Sequence, residues 1–187
     1  RAFMAGLLVL AALVYLWVGG RAATASFAGF LAGSSGATVL KTAFLAAGVP
    51  IVLMGLATLL DSPENPALGR ALHAGFTETA YLLFPLMFIW WAMADGGMAE
   101  RHFGWSAAAR KVVRGELRWL RVALPLSWFF VAALAEVGGI LSGDPFLQAG
   151  KNSLGLFAYT AAMTCTFVAG IRVLNPGGAF ARETRGG

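Results

Sequence analysis

Between Ala71 and Met93 the chain runs for 23 residues with one formal charge, Glu78. As a helix rising 1.5 Å per residue, such a run is long enough to cross a hydrocarbon layer of about 30 Å with some tilt. It is not alone. Phe3 to Val18 (FMAGLLVLAALVYLWV) and Thr42 to Leu60 (TAFLAAGVPIVLMGLATLL) carry no charge, while Val122 to Val137 has only Glu136 and Leu154 to Leu174 only Arg172. Inside lipid every backbone N–H and C=O must bond within its own segment or within a closed barrel, and long apolar runs without alternation satisfy that condition as helices. The expected architecture is therefore all-α: a polytopic transmembrane domain with about five spans, near residues 3–19, 42–60, 71–94, 119–137 and 153–174.

Composition agrees, since 58% hydrophobic residues against 12% charged, with a mean hydropathy of +0.72, exceeds what a soluble domain of 187 residues carries. The net charge of +5 does not point to nucleic acid, because the cations are not gathered on one soluble face with polar or aromatic partners between them. Cys165 is the single cysteine, which excludes an internal disulfide; it lies in an apolar run and reads as packing. The chain opens on Arg1, and we expect it to be a section of a longer polypeptide. Phe3 to Gly19 lacks a basic leader and a cleavage site, so it reads as a true span and not a signal peptide.

Polar punctuation separates the runs. Residues 21–41, with Gly29, Gly33, Gly36 and several Ser and Thr, are expected to form a loop or interfacial segment, a further span being the alternative. Asp61 to Pro66 (DSPENP) reads as a tight hydrophilic turn, Gly138 to Gly150 as a second one around Asp144 and Pro145, and Asn175 to Gly178 (NPGG) as a stop.

The longest interruption runs from Asp95 to Arg121 and holds six of the fourteen Lys and Arg residues. From Ser106 onward it reads as a helix: Ala109, Val112, Val113, Leu117 and Leu120 form an apolar stripe, and Arg110, Arg114, Arg118 and Arg121 lie beside it. Such an amphipathic elbow suits a membrane face, with Arg110, Lys111, Arg114, Arg118 and Arg121 meeting anionic head groups and Trp105 and Trp119 as interfacial anchors. Grouped by loop, eleven cations fall on the elbow's side of the membrane and three, Arg1, Arg70 and Lys151, on the other. By the positive-inside rule the elbow and the C-terminus are cytoplasmic and the N-terminus is outside.

Pro50, Pro85 and Pro125 fall inside expected spans, where each removes a backbone donor and favours a kink. Along the last span Gly155, Ala158, Ala161, Ala162 and Ala169 offer small residues for close helix contact. Glu78, between Thr77 and Thr79, is the ionisable group placed deepest; a structural polar contact is one reading, and a midplane site of a small-solute transporter between helices broken at Pro50 and Pro85 is the rival. Gly33 to Gly36 (GSSG) matches the G-x-S-G of intramembrane serine proteases at Ser35, but neither His73 nor His102 is expected inside a helix facing it. No Walker-type loop and no Cys/His metal spacing occurs, so no enzyme, cofactor or metal function is expected.

The segment from Gly96 to Trp105 (GGMAERHFGW), following a Trp-rich span and preceding a basic helix, resembles the junction in the inner-membrane domain of MscK-like mechanosensitive channels, large members of the small-conductance mechanosensitive superfamily. His102, Phe103, Gly104 and Trp105 carry the resemblance most strongly; Gly48 to Pro50, Asn152 to Gly155 and Asn175 to Gly178 support it, and Leu156 stands where the family often has arginine. The resemblance implies a bacterial inner-membrane protein whose additional spans flank a pore and sense tension. It also implies a homo-oligomer, heptameric in this superfamily, with the pore helix downstream of these residues.

Overall fold

The computed structural model describes residues 35–61, 66–137, 145–175, 178, 180 and 181. The expected first span and most of the loop at 21–41 lie outside the described residues. Among the described residues five helices follow in chain order: α1 (Ser35–Leu60), α2 (Pro66–Ala92), α3 (Met98–Phe103), α4 (Ala107–Val137) and α5 (Pro145–Leu174). Four of them, all but α3, are long and apolar enough to cross a membrane. Three of these run without interruption through an internal proline, Pro50 in α1, Pro85 in α2 and Pro125 in α4.

Three helices start earlier than their apolar runs. α1 begins at Ser35 rather than Thr42, so the last part of the expected loop is helical; the Thr42 hydroxyl donates to the Thr38 carbonyl at 2.8 Å, returning its polar group to the backbone of the preceding turn. α2 and α5 begin at Pro66 and Pro145, residues that read as turn formers. Proline suits the first helical position, where its missing N–H would have had no partner and its fixed φ is already helical.

The long helices form a row. α1 packs on α2, α2 on α4 and α4 on α5, and the short α3 touches α1. Neighbours run antiparallel: Arg110 near the start of α4 reaches Ala94 just past the end of α2, whereas Phe129 deep in α4 meets Phe76 in the first half of α2, with ring centroids 5.0 Å apart. α1 and α2 are tied at their shared far end by His73, whose Nδ1 lies 3.1 Å from the Ala57 carbonyl oxygen. The elbow, the start of α1 and the end of α5 therefore share one end of the row.

Small residues set the spacing. Ala46 and Ala57 are fully buried in α1, Ala71 and Ala80 nearly so in α2, and Ala158, Ala162 and Ala169 recur along one stripe of α5 with the half-buried Cys165 between them. Lipid offers apolar side chains no less favourable surroundings than protein does, so close backbone approach and dispersion hold such helices together, and small side chains permit it. At Gly75 the helices approach closely: a Cβ would lie 2.6 Å from the Phe129 ring. Between α4 and α5 the core is Leu117, Leu120, Leu124, Ala162 and Ala169, with Trp90, Trp119 and Trp128 packed around it. In each long helix only 17–28% of the most apolar stretch is buried, which leaves the outer faces for lipid.

α4 joins two expected elements into one. The amphipathic elbow helix is present, but it is the first half of α4 and passes into the fourth span without a break. Its 31 residues measure about 46 Å, so roughly ten residues extend beyond a 30 Å hydrocarbon layer. A helix interior leaves no unpaired backbone group at the water boundary, whereas a bend would expose several.

Candidate functional site

The candidate site lies where α2 ends, the chain turns through residues 93–97, and α3 leads into α4. Glycine makes this turn. Gly96 has φ +67° and Gly104 φ +62°, the left-handed region that residues with a Cβ avoid. Gly97 has an ordinary φ but no room: a Cβ there would lie 2.6 Å from the Ala92 carbonyl oxygen, 2.7 Å from that of Ala94 and 3.0 Å from that of Trp91. At the end of α3 the Gly104 and Trp105 amides bond back to the carbonyls of Glu100 and Ala99, at 3.2 and 3.0 Å. The Ser106 hydroxyl accepts from the Ala109 amide at 3.2 Å, capping α4 where the sequence indicates.

Arg110 is the bolt. It is 6% exposed, and its Nη1 donates to Asp95 Oδ1 at 2.9 Å and the Ala94 carbonyl at 3.1 Å, with Glu100 Oε2 ion-paired to it at 2.9 Å. Glu100 Oε2 also accepts from the Gly96 amide at 2.8 Å. One guanidinium thus joins the first turn of α4 to the turn after α2 and to α3. Asp95 and Glu100 thus engage Arg110 within the chain, where the sequence reading expects anionic head groups.

The next cations are arranged differently. The Arg114 and Arg121 guanidinium carbons lie 4.5 and 4.1 Å from the centroid of the Trp90 ring, near enough for cation–π attraction. Lys111 and Arg118 are exposed and form no ion pair among the described residues. Arg110, Lys111, Arg114 and Arg118 line an open cavity of about 500 Å³, walled on the α2 side by Trp90 and Met93 and bordered by Asp95. The service of Trp90 as a platform for two arginines was not read from the sequence; the signal was its position at the end of α2, opposite a helix with cations spaced seven apart.

Both expected anchor tryptophans are half-buried and engaged within the chain. Trp119 Nε1 donates to Glu116 Oε2 at 2.7 Å, and Arg172, in the last turn of α5, lies 3.6 Å from the same oxygen. Trp105 meets Phe180 edge to face at 5.1 Å, linking the junction to the segment after α5. Of the junction motif, His102 and Phe103 are exposed, while Gly104 and Trp105 have the structural contacts just given.

The rival chemistries find little geometry. Glu78 is exposed on α2 and makes no hydrogen bond or ion pair among the described residues, and the helices that would have to break at Pro50 and Pro85 are continuous. His73 bonds near the end of α1 opposite Ser35, about 33 Å away by helical rise, which removes it as a base for that serine. Among the described residues no group of His, Cys, Asp and Glu is placed to hold a metal ion.

A row of four apolar helices with a cation-rich junction at one end defines a multi-pass membrane domain. The model of the family described as mechanosensitive ion channel inner membrane domain 1 matches residues 33–186, and the chain belongs to that family. No curated protein and no solved structure matches the chain.

Proposed function

We propose that these residues form the peripheral, tension-sensing part of an MscK-like mechanosensitive channel subunit in a bacterial inner membrane. In this reading they couple bilayer tension to a pore formed elsewhere in the polypeptide, the subunits assemble as a homo-oligomer, heptameric as in the superfamily, and the elbow and C-terminus are cytoplasmic. The supporting observation is the open row: among the described residues each long helix packs closely on the long helices next to it in the chain, and α5 leaves Phe157 74%, Phe167 70% and Leu156 66% exposed. Tension biases an equilibrium only when the two states differ in area or lipid contact, and a row that grips lipid along its flank can tilt or flatten where a closed bundle cannot. Lys111, Arg114, Arg118 and Arg121 would hold the elbow at the head groups of the inner leaflet, with Trp105 and Trp119 at interfacial depth.

The test is patch recording from spheroplasts expressing the protein at its natural length, paired with survival of osmotic downshock. Replacing Phe157 and Phe167 together with alanine is expected to raise the tension for half-activation by loosening the grip on lipid. An unchanged threshold with normal expression would overturn the reading.

A further inference from the structure

We infer that the cavity between α2 and α4 is a binding site for a phosphate-bearing anion. This deepens the proposed head-group contact and rests on it, replacing diffuse attraction by one defined place. Four cations, Arg110, Lys111, Arg114 and Arg118, line this one cavity, with Trp90 and Met93 on its α2 side. Arg110, Arg114 and Arg118 follow one another at helical repeats of four, so three guanidiniums stand along one face of α4, with Lys111 beside them. The two carboxylates near the cavity, Asp95 and Glu100, both bind Arg110, which leaves Lys111, Arg114 and Arg118 without a carboxylate among the described residues.

The site is built in advance. Stacking on Trp90 holds the Arg114 guanidinium, and the Asp95 and Glu100 bonds hold Arg110, so neither loses much freedom on binding. Three uncompensated cations match a phosphate better than a carboxylate, since several oxygens with up to two charges can accept from more than one guanidinium. At about 500 Å³ the cavity exceeds what a bare phosphate fills and falls in the range of small-molecule sites, and its Trp90 and Met93 wall suits an organic group attached to the phosphate.

The test uses the protein in phosphatidylcholine nanodiscs, titrated in parallel with inorganic phosphate and with dihexanoyl phosphatidic acid and followed by tryptophan fluorescence, Trp90 being part of the wall. Saturable binding is expected, weakened about tenfold or more in Arg114→Gln and in Lys111→Gln, the factor carried by one charge-assisted hydrogen bond. Lys111 is exposed, so its variant keeps the test valid if Arg114→Gln fails to fold. Arg101→Gln removes the same charge from the elbow outside the cavity and is expected to change affinity less than about twofold, in line with screened surface charge. A clear preference for the acyl-bearing probe assigns the site to lipid, and equal affinity for both assigns it to a soluble phosphate compound. No saturable binding of either probe, or equal weakening by Arg101→Gln and Arg114→Gln, overturns the site; the second result leaves diffuse head-group contact standing. Loss of the tension response in a protein that still binds phosphate would instead count against the proposed function alone.

Discussion

Gly97→Ala tests whether the junction is held by backbone contact. The added methyl would stand 2.6, 2.7 and 3.0 Å from three carbonyl oxygens, of Ala92, Ala94 and Trp91, where ordinary contact begins at 3.4 Å. None of these atoms can rotate aside as a side chain would. The last turn of α2 must open or the turn at 93–97 must move, and either motion strains the Arg110 bond to the Ala94 carbonyl. Overpacking of this kind costs about 1–3 kcal/mol, which for a chain of this length lowers the thermal midpoint by roughly 3–9 °C. Unfolding of the detergent-solubilised protein followed by tryptophan fluorescence reads it directly, because Trp90, Trp91 and Trp105 surround the turn. The matched control is Gly115→Ala, a helix-interior position where a Cβ meets nothing within 4 Å; there the gain in helix propensity should stabilise by about 0.5–1 kcal/mol. A Gly97→Ala midpoint within about 1 °C of the parent, or a Gly115→Ala loss of equal size, would refute the reasoning.

Arg110→Met should destabilise by about 1.5–3 kcal/mol in the same assay, the range for hydrogen bonds to a charged group, with Asp95, 94% exposed at its side chain, contributing little; an unchanged midpoint would mean the bolt carries no load. Gly75→Ala should cost about 1–3 kcal/mol through contact with Phe129, and pairing it with Phe129→Leu should recover most of that loss; additive losses would place the strain elsewhere. In a Cys165→Ser background, Lys111→Cys should react with a membrane-impermeant maleimide only in inside-out vesicles, and labelling from the periplasmic side would reverse the proposed orientation.

Much of the fold was legible in the residues because lipid imposes one rule on every span. Length and lack of charge located four described helices, Ser106 marked the start of α4, and Ala162 and Ala169 marked the face of α5 that packs on α4, whereas Gly155 meets nothing within 4 Å. The starts of α1, α2 and α5 were not legible, because Gly33 to Gly36 reads as a linker and Pro66 and Pro145 read as turns, although proline at a first helical position serves equally well. The division of labour among the elbow arginines was also hidden. Arg110, Arg114 and Arg118 have the same spacing and chemistry; what separates them is which group the preceding turn brings near, Asp95 and Glu100 for the first, Trp90 for the second and no described carboxylate for the third. That choice depends on a chain reversal made by Gly96 and Gly97, which periodicity within α4 cannot register.

The continuity of α4 decides how force could travel. A helix interior resists bending because each turn is bonded to the next, so a displacement at one end of a 31-residue helix reappears at the other. The two ends of α4 see different surroundings. Its first turns are fixed to the junction by Arg110 and stacked on Trp90, while its core residues Leu117, Leu120 and Leu124 pack against α5, whose last turn carries Arg172 to within 3.6 Å of Glu116. Among the described helices α4 packs closely on both α2 and α5 and so joins them. With Trp105 against Phe180, the segment leaving α5 is held to the same junction. α2 and Phe180 are thus linked through a bonded helix and two side-chain contacts, Arg172 with Glu116 and Trp105 with Phe180, and weakening either contact should loosen that link without unfolding the row.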